Sequence, residues 1–359
     1  MADTALPQND ARTGVQTGTR TKRPGVLLVN LGTPDSPEPG PVRRYLRQFL
    51  SDPRVLDIHP VGRKALLELI ILPTRPRKSA EAYKEIWTDE GSPLLVNGKA
   101  FARGVARELE GVNVELAMRY GSPSIQSGIE SLVAKGSDEI VVMPLFPQYA
   151  SSSTGSAVEE VYREAGKLWN TPFVRVVPPF FDHPAFIEAY AEIARPILAG
   201  GDFDHVLFSY HGVPERHVTK SDPTGKHCLA QPGCCDRIVD ANRQCYAAHC
   251  HGTTRALVEA LDLDEGTYSH SYQSRLGRTP WLRPFTDEAV TELAKNGTRR
   301  LAVFCPSFVA DCLETIEEIG LRAREDFKGA GGDELVLIPC VNDHAAWVRG
   351  AASLLRNCL

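Results

Sequence analysis

Short apolar runs rich in β-branched residues recur along the chain, and each is followed by a turn and then a longer stretch with helical spacing. The runs lie at residues 25–31 (GVLLVNL), 114–118, 139–143, 173–177, 205–210, 301–304 and 334–338. Each reads as a buried strand. The helical stretches lie at 41–50, 80–87, 98–109, 124–134, 158–168, 184–198, 237–261, 286–295, 311–324 and 343–356. Strands alternating with helices at this spacing predict an α/β fold with parallel sheets.

Two segments echo one another. VLLVNLG (26–32) resembles VLFSYHG (206–212), and IVVMPLF (140–146) resembles LAVFCPSF (301–308), in the same order in both halves. The chain of 359 residues also exceeds what a single core usually serves. Two lobes follow, each built on a parallel sheet; the resemblance set out below implies that they are Rossmann-like, with an active-site cleft between them. The expected organisation is a loose tail at 1–23, a first lobe at 24–170, and a second lobe at 171–335 carrying a cysteine-rich insert at 220–245. A last helix within 336–359 is expected to pack back on the first lobe. In open α/β sheets ligands bind beyond the carboxyl ends of the strands, so the chemistry is sought there.

The balance of 40 Lys and Arg against 45 Asp and Glu offers no positive field for a polyanion, so nucleic acid is not an expected partner. No apolar run approaches the length of a spanning helix. The segment 63–72 is amphipathic and Leu-rich, and reads equally as a core helix or as a surface touching a membrane peripherally. The first 23 residues lack an apolar stretch and contain Asp3 and Asp10, which argues against an export signal and for a cytoplasmic protein. Oligomeric state leaves no mark in the sequence.

No strand end carries a glycine-rich phosphate cradle. The run ending at His211 instead delivers an imidazole and then turns through Gly212, Val213 and Pro214. Such a histidine serves as base or metal ligand, or simply bonds within its turn. After the run at 301–304, Asp311, Glu314 and Glu318 fall within an arc of roughly 60° if the segment is α-helical, forming an acidic ridge. Acids in a first turn also merely complement the helix dipole. Imidazole and carboxylate together suit a divalent ion such as Fe²⁺, and carboxylates also accept protons. Aromatic and polar residues cluster at 118–123, at 144–153 and in a loop at 271–281, enough to line a flat apolar pocket.

Five of the nine cysteines lie between Cys228 and Cys250. In a reducing compartment such density points to a metal or an iron–sulfur cluster, with reduced free thiols as the other reading. Adjacent Cys234 and Cys235 are poorly placed to pair with one another.

From Gly25 onward the chain resembles the ferrochelatases, which insert Fe²⁺ into a porphyrin. The segments that carry the likeness are VNLGTPDSP, MRYGSP, PLFPQYASSSTGS, FFDHPAFI, LFSYHGVP, SYQSRLGRTPW, CPSFVADCLETIEEI and LIPCVNDHAAW, in the family's order. The resemblance implies the two-lobed chelatase fold and the substrates protoporphyrin IX and Fe²⁺, with no cofactor required for the chemistry. It places His211 as the active-site histidine and Glu314 as its partner, both reached by the substrate iron, with Glu318 and Asp311 extending the acidic row. Leu31, Arg119, Tyr120, Gln273, Ser274 and Trp281 fall on positions lining the porphyrin cleft. Cys312 stands where animal enzymes carry histidine. Leu31 stands where relatives acting on coproporphyrin carry tyrosine, which favours protoporphyrin IX. Some bacterial members hold a [2Fe-2S] cluster on an internal cysteine-rich segment, which here implies Cys228, Cys234, Cys235 and Cys245. Two other classes stay open: a cobalt or nickel chelatase acting on another tetrapyrrole, and a non-catalytic haem or porphyrin carrier.

Overall fold

The computed structural model describes residues 24–277 and 279–359; the expected tail at 1–23 lies outside them. The first sheet contains β1 (Pro24–Thr33), β2 (Asn113–Gly121), β3 (Glu139–Pro144) and β4 (Phe173–Val176), in the order β2-β1-β3-β4. The second contains β5 (His205–His211), β6 (Tyr268–Gln273), β7 (Arg300–Phe304) and β8 (Glu334–Leu337), in the order β6-β5-β7-β8. All pairings are parallel. Each lobe's opening strand therefore sits between the next two strands of its lobe, so the two sequence echoes mark equivalent strands. The central strands are buried on both faces, as expected for parallel sheets covered by helices.

In the first lobe the helices are α1 (Pro39–Ser51), α2 (Pro60–Ala65), α3 (Leu72–Ile86), α4 (Pro93–Glu108), α5 (Ile125–Ala134) and α6 (Ser156–Ala165). A π-helical segment, Leu66–Ile71, joins α2 to α3. α7 (Pro184–Gly200) leads into the second lobe, which holds α8 (Glu215–Lys220), α9 (Tyr246–Leu261), α10 (Thr286–Lys295), α11 (Leu313–Thr315) and α12 (Arg324–Gly329). α11 and α12 are joined by a second π-helical segment, Ile316–Ala323. α13 (Ala345–Arg356) closes the chain, and among the described residues no helix is long and apolar enough to cross a membrane.

Four expectations need correction. β4 belongs to the first sheet, so the first lobe runs past residue 170; the apolar pattern of 173–177 marks a strand but not which sheet receives it. β8 extends to Leu337, beyond the expected end of the second lobe at 335. The segment 271–281 is not a loop after a helix, because its first residues complete β6, whose polar sequence YSHSYQ hid a strand. The helix expected at 237–261 begins only at Tyr246. Upstream of it, Asn242 satisfies backbone groups with its side chain, bonding the Val239 N–H and the Cys234 and Arg237 carbonyls, which favours turns over helix.

The last helix does return to the first lobe. Trp347 of α13 is fully buried, stacked 5.7 Å from Phe101 of α4 and packed against Phe180 and Phe186. One core thus runs through both lobes and fixes the strand ends relative to each other.

Candidate active site

His211 is the last residue of β5 and is held by its backbone on two sides. The ladder to β6 reaches His211, opposite Gln273, but the ladder to β7 stops at Phe208. The backbone groups left over find side chains instead: the His211 N–H donates to Ser307 Oγ at 2.8 Å, and its carbonyl accepts from the Tyr246 hydroxyl at 2.7 Å. In the ring, Nδ1 lies 2.7 Å from the Gly212 carbonyl. A carbonyl can only accept, so Nδ1 carries a proton, and in the neutral ring Nε2 is the nitrogen that presents its lone pair. Among the described residues nothing bonds Nε2, and the ring edge faces Phe308 at 6.2 Å. Gly212 is required here because a Cβ would lie 2.9 Å from the Gln273 carbonyl oxygen and 3.2 Å from the half-buried Trp281 ring. The Trp281 indole N–H is anchored on the Leu276 carbonyl at 2.9 Å.

The end of β6 ties the acidic segment to this histidine. Gln273 is buried, accepts from Ser209 at 2.8 Å, and donates through Nε2 to the Glu314 carbonyl at 2.6 Å. Ser274, at φ 66°, aims its backbone N–H and its hydroxyl at the Glu318 carboxylate, at 2.8 and 2.5 Å. Burial pushes the Glu318 carboxyl above the ordinary carboxylate range; the Ser274 bonds and the charges of Arg322 and His211 oppose that rise, and Glu314 adds to it. Glu318 thus responds electrostatically to both His211 and Glu314. Glu317 turns away to Arg322.

Asp311 does not join the row. It precedes α11; its Oδ1 accepts from the Thr315 hydroxyl and the Cys340 N–H, and its Oδ2 from Asn342 at 2.7 Å. The ridge was drawn with uniform α-helical spacing, whereas the helix opens after Cys312 and winds as a π-helix from Ile316. Asp311 anchors that opening, and Glu314 and Glu318 remain as the acidic pair.

Opposite them stand residues of the first lobe. Half-buried Leu31 ends the apolar face of β1, and Tyr45 donates to the adjacent Gly32 carbonyl at 3.2 Å. Tyr45 and Tyr83 are buried, and burial followed by the charges around them, Glu314 included, holds both phenols well above their ordinary pKa. Leu313 and Ile316 pack against the cluster of Val42, Tyr83 and Ile86. Glu314 therefore faces the first lobe across the cleft. Neither tyrosine stood out in the sequence, since each sits on a helix face that reads as core.

Arg119 and Tyr120, at the end of β2, both bond Asp52. Tyr120 is fully buried; its hydroxyl donates to Asp52 at 2.8 Å, and Phe49 packs on its ring at 5.2 Å. Arg119 donates to Asp52 at 2.8 Å and to Ser156 Oγ at 2.7 Å, and its guanidinium lies 4.6 Å from the Tyr120 ring centroid. Both brace the strand end. At the surface of the cleft β1 and β2 approach so closely that a Cβ on Gly32, at φ 124°, would collide with the Tyr120 carbonyl.

The cysteine-rich segment converges on one locus. Cys234 and Cys235 Sγ lie 3.8 Å apart, and Cys245, at the N-terminus of α9, is electrostatically coupled to Cys235 and Cys228. Hydrogen bonding from Cys235, against its own burial and together with the Ala248 and Ala247 N–H groups, draws the Cys245 thiol down to about 6. Burial pushes Cys228 up to about 12. Cys250 instead interacts with Tyr246. The loop is framed by Asp222, which accepts from the N–H groups of Thr224, His227 and Cys228, and by Arg255, which donates to the Cys235 carbonyl at 3.0 Å. Among the described residues, no three His, Cys, Asp or Glu side chains gather as ligands of a single ion would.

Comparison with known proteins agrees with this geometry. Residues 23–359 match the family model described as Ferrochelatase. The chain is 47% identical over 333 residues to the ferrochelatase of Azotobacter vinelandii, covering 92% of this chain and 98% of that protein. It is 43% identical over 336 residues to that of Legionella pneumophila (strain Lens), covering 93% and 99%. Among solved structures, SirB from Bacillus subtilis with Fe³⁺ superposes with a TM-score of 0.51 at 14% identity, over 93% of this chain and 95% of that one, a likeness of fold.

Proposed function

The chain belongs to the ferrochelatase family, and from that premise we propose that it inserts Fe²⁺ into protoporphyrin IX, releasing two protons and yielding protohaem. One observation carries the reading: an imidazole whose Nε2 has no partner among the described residues sits beside a half-buried pair of carboxyl groups at the strand ends facing the other lobe. Metallation requires two pyrrole protons to leave as the ion enters, so the site must hold a base on one face of the ring. His211 Nε2 takes a pyrrole proton, since Nδ1 is already committed to Gly212. Glu318, whose burial favours its neutral form, accepts the proton passed on, and Glu314 meets the arriving ion. Leu31 and Trp281 supply apolar surface that grips the macrocycle and favours a distorted ring, binding energy used at a distance from the reacting nitrogens. Leu31 in place of a hydroxylated ring favours the more apolar protoporphyrin IX over coproporphyrin.

Cys228, Cys234, Cys235 and Cys245 are suited to hold a [2Fe-2S] cluster, which when bound supplies a one-electron redox centre; inserting Fe²⁺ itself transfers no electron. Free thiols throughout the described residues suit a reducing cytoplasm. Val61, Leu69 and Ile70 form an exposed apolar ridge beside Arg63 and Lys64, which suits peripheral contact with a membrane carrying the greasy substrate.

The test is to mix protein, protoporphyrin IX and Fe²⁺ without air and follow the free-base spectrum. Its Fe²⁺-dependent loss is expected with the native chain and absent with His211→Ala of unchanged far-UV circular dichroism. Binding without metallation would make the protein a carrier, and faster turnover with Co²⁺ or Ni²⁺ on another tetrapyrrole would make it a different chelatase.

A further inference from the structure

The four-cysteine pocket and the catalytic histidine are joined by one residue. Cys245, electrostatically coupled to Cys228 and Cys235, is the N-cap residue of α9, and the next residue in the chain is Tyr246. The Tyr246 ring is buried and carries its hydroxyl to the His211 carbonyl, 2.7 Å away, and to within 3.3 Å of Ser307 Oγ. Ser307 in turn accepts the His211 N–H at 2.8 Å. Both backbone groups of His211 thus end on the Tyr246–Ser307 pair, at the point where β5 has lost its β7 partner. The ring's own anchor, Nδ1 to the Gly212 carbonyl, hangs on the same stretch of backbone. A small displacement of the first turn of α9 therefore reorients the imidazole.

We propose that Tyr246 is a positioning residue for His211, and that it makes the state of the four-cysteine site felt at the catalytic base. The proposal rests on the reading of His211 as that base. Cys245 is the N-cap residue of α9 and Tyr246 its first helical residue, so a change in what Cys245 binds alters the load on the turn that carries Tyr246. The pocket is otherwise stiff: Asp222 pins the Cys228 end, and Asn242 and Arg255 pin the carbonyls of Cys234 and Cys235. Strain at the sulfurs consequently has α9 as its outlet. Nothing in this requires electrons to move between the two sites; the coupling is mechanical, through one phenol hydroxyl.

The experiment is a double-mutant cycle of Tyr246→Phe and Cys245→Ser in the full chain, with two readouts. The first is the ring-proton NMR signal of His211 in porphyrin-free protein with labelled histidine, assigned by its loss in His211→Ala; this readout stands whether or not the chain metallates porphyrin. The second is the split between kcat and porphyrin KM. Tyr246→Phe keeps the ring and removes only the hydroxyl. It is expected to shift the His211 signal and lower kcat about tenfold with KM unchanged, as loss of an orienting contact does. Cys245→Ser is expected to shift the same signal, and the double variant to match Tyr246→Phe alone. Ser307→Ala is the second route to the same clamp should Tyr246→Phe fail to fold, and Cys228→Ser the second route into the sulfur pocket. An unmoved His211 signal in Tyr246→Phe and Ser307→Ala overturns the positioning role. A Cys245→Ser shift that persists undiminished when Tyr246 is Phe overturns the coupling.

Discussion

Ser274 holds Glu318 with two donors from one residue, its N–H at 2.8 Å and its hydroxyl at 2.5 Å. The positive φ of Ser274 turns both donors the same way, so the last residue of the β6 turn fixes the carboxylate beside His211. Ser274→Ala keeps the N–H bond and deletes the other, whose loss is expected to cost about 1–2 kcal/mol of orientation, roughly a tenfold drop in kcat. Porphyrin affinity, read by quenching of protein fluorescence, should change little. An equal rise in KM with unchanged kcat would make Ser274 a binding residue instead.

Glu318 also makes a statement about stability. Its pKa is raised in the folded chain, so between the unfolded carboxylate value near ~4.3 and the folded value the native state binds more protons. Its contribution is therefore most favourable at low pH and is lost as pH rises through the folded pKa. Glu318→Gln removes the ionisation penalty: Tm at pH 7 is expected to rise by roughly 2 °C, with a smaller gain at pH 4.5, while metallation falls steeply. A larger gain at pH 4.5 than at pH 7 would reverse the assigned sign.

Asp57 clamps the lobes. Burial disfavours its charge, but hydrogen bonds from Arg216 and Lys220 of α8, with His217 Nε2 3.3 Å away, outweigh this and hold its carboxyl well below the usual range. Its stabilisation is present above the unfolded pKa and is lost as pH falls through the depressed folded value. Because solvent reaches Arg216 and Lys220, Asp57→Asn is expected to cost about 1–2 kcal/mol at pH 7, seen as a lower denaturant midpoint. The gap to the native chain should narrow in strong acid; a gap that widens there would show that the clamp does not titrate as described.

Leu69 and Ile70 project outward from the π-helical segment while Leu67 and Leu72 are buried. Replacing both exposed residues with serine should leave metallation of detergent-dispersed porphyrin unchanged, and lower co-sedimentation with anionic phospholipid vesicles several-fold. Equal sedimentation of the two proteins would assign the ridge to some other contact.

Much of this arrangement was legible in the sequence because the strands of a parallel sheet are written as apolar runs and their ends as abrupt changes to polar residues. His211 at the end of SYH and the acids after CPSF were found that way. β6 was not, since YSHSYQ packs polar side chains against Ser209 and Thr286 inside the sheet and lacks the apolar signature. Its loss hid the means by which Gln273 and Ser274 grip Glu314 and Glu318. Asp311 was misplaced because residue spacing assumes one helical pitch, and the pitch changes at Ile316. The tie of Arg119 and Tyr120 to Asp52 was not legible, because Asp52 is far away in sequence. Tyr246 gave no signal, as an aromatic opening a helix reads as core.

The shared strand order has an outcome for the direction of the reaction. Equivalent ends of the two opening strands bear Leu31 in one lobe and His211 in the other. A flat guest lodged between them meets hydrocarbon on one side and an acceptor of protons on the other, so its two faces are chemically unlike from the moment it docks. On the reading of His211 as the base, a duplicated architecture has in this way been made polar by a single side chain, and deprotonation is expected from one side only.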